Sequence, residues 1–108
     1  MGARAQLAED RPMTSLHIEH RVHDLHAWLE TFRSFDAVRA QGGVTAMQVR
    51  HGVDDPNEVA IDLEFDAVEQ ATSFLGYLET EIWPSSPHFT GTPSTRLLED
   101  INLGATTA

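Results

Sequence analysis

The chain has 108 residues, a length suited to one domain with one core, and its composition of 41% hydrophobic and 22% charged residues is that of an ordinary globular protein. Lys and Arg number 7 against 17 Asp and Glu, a formal charge of −10 with His neutral; with no basic stripe interleaved with aromatics, this balance disfavours nucleic acid as a partner. The lack of cysteine excludes disulfides, thiolate nucleophiles and zinc–thiolate clusters.

The run from Met1 to Met13 holds Arg4, Glu9, Asp10 and Arg11 without an apolar block, so it reads as a leader rather than a signal peptide. No apolar stretch approaches the ~20 residues a membrane helix needs. A cytoplasmic protein that makes no membrane contact is therefore expected. In Thr14–Val22, Leu16, Ile18, His20 and Val22 alternate with Ser15, His17, Glu19 and Arg21, the period of a strand. Asp24 supplies a helix N-cap, and Leu25, Trp28, Leu29, Phe32 and Phe35 follow at three- and four-residue steps as one apolar stripe. Glu30/Arg33 and Asp36/Arg39 fall on the polar side of that single helix, and Gly42-Gly43 offers its left-handed stop.

Val44 to His51 is a second strand, with Gln48 and Arg50 sharing one side. The turn-forming run Gly52–Asn57 joins it as a hairpin to Val59–Phe65, where the alternation is cleanest: Val59, Ile61, Leu63 and Phe65 against Ala60, Asp62 and Glu64. Asp66 and Glu69 have capping-box spacing before a second helix carrying Ala71, Phe74, Leu75, Leu78 and Ile82. Trp83 to Pro93 holds three of the five prolines and reads as the one long loop. Thr95 to Ile101 forms a fourth strand, so the expected divisions are a leader over 1–13, one domain over 14–102 and a tail over 103–108.

Strand, helix, strand, strand, helix, strand is the βαββαβ order of the α+β ferredoxin-like fold. Right-handed crossovers put both helices on one face of a four-stranded antiparallel sheet, with the first and third strands central. The same phase puts His17, Glu19, Arg21, Gln48, Arg50, Asp62 and Glu64 on the face without helices, as an antiparallel sheet permits. Within this frame the run His20-Arg21-Val22-His23-Asp24-Leu25-His26-Ala27-Trp28, Phe32, the Gly43-Val44 exit, and Asp54-Asp55-Pro56-Asn57-Glu58-Val59 leading into Asp62-Leu63-Glu64-Phe65 carry a resemblance. They resemble the small dimeric α+β barrel proteins of the antibiotic biosynthesis monooxygenase-like and polyketide cyclase-like group, over Ser15 to Ile101. The resemblance implies a homodimer whose two sheets face each other, helices outside, and a pocket for a small apolar or aromatic ligand. It also implies oxygenase or cyclase chemistry that needs no cofactor; the Asn/His/Trp pattern of the haem-degrading members is not found.

His20, on the core-facing side of its strand, is the candidate base, set against the commoner role of a hydrogen-bonded structural histidine. Trp83, His88 and Phe89 flank the long loop and are candidates for ligand binding as a lid, or for anchoring a connector. Asp62 and Glu64 stand ~6–7 Å apart on one face, a spacing that suits an acid–base pair; charge compensation with Arg21 and Arg50 is the favoured reading, on a sheet face that meets its symmetry mate. His17, His20, His23 and His26 recur every third residue, but on a strand His17 and His23 are ~20 Å apart, too far for one ion, and no metal is expected. Three roles stay open: an enzyme, a non-catalytic ligand-binding or regulatory dimer, and a monomer with a wet sheet face.

Overall fold

The computed structural model describes residues 13–101; the expected tail over 103–108, and all of the expected leader except Met13, lie outside the described residues. Four strands, β1 (Thr14–Arg21), β2 (Ala46–His51), β3 (Glu58–Phe65) and β4 (Ser94–Glu99), form one antiparallel sheet in the order β2-β3-β1-β4. Between them run α1 (Leu25–Ser34), α2 (Asp36–Gln41) and α3 (Val68–Tyr77), the last continued by a π-helical turn (Leu78–Ile82) and a 3-10 turn (Trp83–Ser85). This is the ferredoxin-like α+β arrangement, with β1 and β3 central as their alternation requires.

Register explains the layering. Leu16 faces Leu63 and Ile18 faces Ile61 across the β1–β3 pair, so the apolar residues of both central strands point to one side. There Leu16, Ile18, Val59, Ile61, Leu63 and Phe65 are buried together with Val22, Trp28, Ala71 and Phe74. Each large side chain so buried stabilises the fold by roughly 1.5–3 kcal/mol. Among the described residues no helix is long and apolar enough to cross a membrane.

Asp24 caps α1 as its position suggests, its carboxylate accepting from the His26 and Ala27 amides. The single helix expected up to Gly42 is in fact two, because the chain breaks at Phe35. Across that break Arg39 is not on a polar surface. It pairs with Asp36 as the i,i+3 spacing suggests, yet its side chain is only 7% exposed, its guanidinium lying 3.8 Å from the Phe32 ring centre and donating at 2.8 Å to the Phe32 carbonyl. That carbonyl belongs to the last turn of α1, where it accepts the Phe35 amide at 3.1 Å in place of an i+4 amide, and a cation there also complements the helix dipole. Gly43 takes the left-handed conformation, with φ of 99°. Gly42 is required for a different reason: a Cβ there would meet the Phe74 ring at 2.5 Å.

At α3 the capping-box reading gives way. Ala67 occupies the N-cap in extended conformation and no side chain caps the helix, because β3 runs through Phe65 and the chain spends Asp66 and Ala67 turning. The strand ends are also shorter than the alternation suggests, β2 opening at Ala46 and β4 closing at Glu99.

The open face of the sheet carries the charged set. His17 bonds to Asp62 at 2.7 Å, directly across the β1–β3 pair, and to Glu19 at 2.8 Å. Arg50 reaches Asp62 at 3.0 Å, as charge compensation requires. Arg21 does not share that duty: it turns to Asp55 and, at 3.1 Å, Glu58, because it sits at the strand end opposite Glu58. The bonds to Glu19 and Asp62 hold the His17 imidazole above its ordinary pKa despite some burial. A raised histidine contributes stability that is fully present below its unfolded value of about 6.5 and is lost as pH climbs through the raised folded value. Thermal unfolding followed from pH 6 to pH 9 should therefore fall for the wild type and fall less for His17→Gln; equal slopes would mean that His17 is not the responsible group.

Candidate functional site

Between the sheet and the helices lies a cavity of about 80 Å³, and its walls explain several residues that packing alone does not. The floor is Ile18 and His20 of β1 with Ile61 and Leu63 of β3; α1 and α2 add Trp28, Thr31, Phe32, Val38 and Arg39, with Phe35 at the break between them. Phe74, Leu78, Ile82, Trp83, Ser86, His88 and Phe89 close the other side. Mostly apolar walls with a few polar groups are the usual make-up of a small-molecule site. The volume is about half of the roughly 150 Å³ at which an apolar protein cavity accepts benzene, so a one-ring guest requires the wall to move.

His20 is the polar residue on the floor. It occupies a core-facing position, 9% exposed, with its ring edge-on to Phe89 at 4.4 Å and to Trp28 at 5.4 Å between centroids. Its Nδ1 is buried with no hydrogen-bond partner among the described residues, an uncommon and costly situation for a buried polar atom. Burial pushes its pKa down to about 4, so the imidazole is neutral at physiological pH. Its Nδ1 thus lacks, among the described residues, the partner that a structural histidine on an apolar face is expected to have.

The long loop is fastened over this histidine by backbone pairing. Phe89 bridges to Val22 just past the end of β1, the Thr90 amide donates to the Arg21 carbonyl at 2.9 Å, and the His23 amide donates to the His88 carbonyl at 2.9 Å. A side-chain hydrogen bond of 2.9 Å between Thr31 Oγ1 and His88 Nε2 ties the loop to α1. Trp83 stands edge-on to Phe89 at 6.1 Å. The loop begins where α3 loosens into its π-helical turn, a distortion frequent at functional sites, and Pro84 cannot supply the amide for a further helical turn.

His20, Trp83, His88 and Phe89 thus line one cavity, His20 from the floor and the other three from the closing side. His17, Glu19, Arg21, Gln48, Arg50, Asp62 and Glu64 lie apart from it, on or at the rim of the opposite sheet face. Asp62 is engaged with His17 and Arg50, so it is bound up in cross-strand compensation. Among the described residues no three of His, Asp and Glu converge as metal ligands do. Thr31 and Arg39 are cavity residues that sequence reasoning misses: Thr31 is one polar residue on a helix with a clear apolar stripe, and Arg39 is masked by its i,i+3 pairing with Asp36. Trp28 and Phe32 are read as core and serve as cavity wall too.

No family model and no curated protein matches this sequence. The likeness appears in three dimensions. A protein of unknown function from Nitrosomonas europaea superposes with a TM-score of 0.68 at 12% identity, covering 91% of this chain and 98% of that one. A second protein of that organism, provisionally assigned as an antibiotic biosynthesis monooxygenase, gives 0.64 at 11% identity over 82% of this chain and 90% of its own. A dimeric ferredoxin-like protein from an uncultured marine organism gives 0.62 at 9% identity, over 83% and 96% respectively. At such identities the shared property is the fold, and this chain has the ferredoxin-like α+β fold found in antibiotic biosynthesis monooxygenase-like proteins.

Proposed function

We propose that the protein is a homodimeric small-molecule enzyme that takes a one-ring aromatic substrate into the cavity between sheet and helices and oxygenates it without a cofactor. The observation that carries this reading is that His20, which lines an otherwise apolar, aromatic-walled cavity, has a buried Nδ1 with no hydrogen-bond partner among the described residues. Such an atom is free to bond a polar group of a molecule that enters, in place of water. The fold shared with a provisionally assigned antibiotic biosynthesis monooxygenase agrees with the reaction class.

The chemistry balances with substrate and dioxygen alone. An activated methylene beside the ring and one dioxygen give a carbonyl and one water; the carbon supplies all four electrons, and the oxygen atoms divide between carbonyl and water. The protein has to hold the substrate, exclude bulk water and receive a proton when the carbanion forms. His20 stands where that proton would go, and the imidazolium would be stabilised by the new anion beside it, since charges attract strongly where water is excluded. Trp83, His88 and Phe89 act as the closing wall. The small volume favours a single ring over a polyketide-sized substrate, and so oxygenation over cyclisation.

One observation favours a second reading. A histidine pushed down to about 4 is a weak base, and a protein that only binds its ligand needs His20 as a neutral hydrogen-bonding anchor and nothing more. Trp28 and Trp83 both line the cavity, so intrinsic fluorescence reports entry of small aromatics, while an oxygen electrode reports turnover. The expected result is that His20→Ala retains fluorescence-detected binding within about fivefold and loses oxygen uptake by a hundredfold or more, in the range of general-base contributions. Binding without oxygen uptake across activated one-ring substrates would establish the non-catalytic reading.

The homodimer is supported by the open sheet face. Its charges are of both signs, Arg21 and Arg50 with Glu19, Asp62 and Glu64, and Leu98 adds an exposed apolar residue to it, so the face can complement a copy of itself about a two-fold axis. The dimeric state of the marine ferredoxin-like protein agrees. Light scattering should give about twice the 12.0 kDa of the chain for the wild type and a shift towards monomer for Asp62→Lys/Glu64→Lys. A mutant that stays fully dimeric would show that these carboxylates face solvent.

A further inference from the structure

Resting on the reading of the cavity as a ligand site, we propose that its ligand carries a carboxylate, and that Arg39 is the residue that binds it. Arg39 is a charged group in an otherwise largely apolar wall. Its side chain is 7% exposed, and such a charge is costly to bury unless it is fully paired. The pairing is incomplete. Only Nη2 is engaged, by the Phe32 carbonyl and the Asp36 carboxylate, while Nη1 and Nε make no hydrogen bond to any described residue and keep some exposure to solvent, where a ligand can reach them. Asp36 is itself 69% exposed, so the counter-charge stands in water and compensates the buried guanidinium weakly.

Holding the α1–α2 corner together needs one donor aimed at the Phe32 carbonyl. It does not need a five-donor planar fork, the shape that matches a carboxylate with two parallel hydrogen bonds. Contact with the Phe32 ring, 3.8 Å from Cζ to its centre, helps to hold the guanidinium in place and leaves the remaining N–H groups for an acceptor. The cavity then offers a cation at Arg39 and a neutral imidazole with an unpartnered nitrogen at His20, among aromatic lining residues. A small aromatic acid satisfies this set: its carboxylate takes the guanidinium, its ring takes the apolar wall, and a hydroxyl or carbonyl on it meets His20. Arg39 is a binding and specificity residue in this scheme; the reacting carbon lies at the His20 end.

Benzoate and benzamide, equal in shape and different in charge, test the assignment by NMR titration of the full chain at pH 7. The wild type should bind benzoate about tenfold or more tightly than benzamide, as a charge-assisted bond replaces a neutral one. Arg39→Gln should abolish that preference while changing benzamide affinity by less than about threefold. Should Arg39→Gln fail to fold, Asp36→Asn decides in its place: removing the exposed competitor should raise benzoate affinity several-fold and leave benzamide unchanged. Equal binding of the two probes by the wild type, or a preference that survives Arg39→Gln, would overturn the carboxylate assignment and leave the cavity as a site for neutral aromatics. If neither probe shifts the cavity-lining resonances, the ligand-site reading falls, and this inference falls with it.

Discussion

The pairing of β1 with β3 is the constraint on which the molecule depends. Ile18 opposite Ile61 and Leu16 opposite Leu63 put two apolar rows on one surface, and a slip of one residue in either strand would turn its whole row towards water. Everything else is arranged by that register. It decides that the helices lie on one side, that His17 meets Asp62 on the other, and that His20, two residues beyond Ile18, takes a place in the row where a hydrophobic residue would pack. Because β1 and β3 are the two central strands, the histidine is held on the most rigid part of the sheet, which is where a group that must meet a ligand at a set distance is best placed.

Much of this is written in the order of the residues alone. Period-two alternation in Thr14–Val22 and Val59–Phe65 identifies the central strands and their faces, because a half-buried strand has few other ways to be written. Asp24 marks the start of α1 because its short carboxylate is suited to orphan amides. The same reasoning fails where local pattern meets a tertiary demand. The stripe Leu25/Trp28/Leu29/Phe32/Phe35 and the pair Asp36/Arg39 suit one continuous helix, and nothing local announces a break at Phe35; the break makes sense only with Arg39 turned inward against Phe32. Asp66 has capping-box spacing but β3 claims the residue before it, so the helix starts later.

The cavity divides in the same way. His20 stands out from sequence because it is polar in an apolar phase, and Trp83, His88 and Phe89 stand out because they flank a proline-rich loop. That these four converge depends on backbone pairing between Val22 and Phe89, a contact across 67 positions that periodicity cannot foresee. Thr31 and Arg39 carry no signal of their own: a threonine in a helix and an i,i+3 ion pair are ordinary surface features until the fold turns them inward. The sheet face is legible as a polar surface, while the choice of partners, Arg21 to Asp55 and Glu58 instead of Asp62, is decided by strand ends and by the hairpin loop.

The fastening of the long loop has a consequence for the time scale on which the cavity exchanges its contents. Lifting Phe89 away from His20 breaks the His23–His88 and Thr90–Arg21 backbone bonds and the Thr31–His88 side-chain bond together. At a net value of about 1 kcal/mol each, those three bonds hold the lifted form to a population on the order of one per cent. Any guest that enters beneath the loop meets only that minority, so its entry is slowed by that fraction, and once the loop has closed its departure waits for the loop to lift again. Entry and exit are slowed together, with the affinity unchanged. The protein would therefore be slow to fill and slow to empty, a retentive container whose dwell time is governed by three hydrogen bonds at its rim.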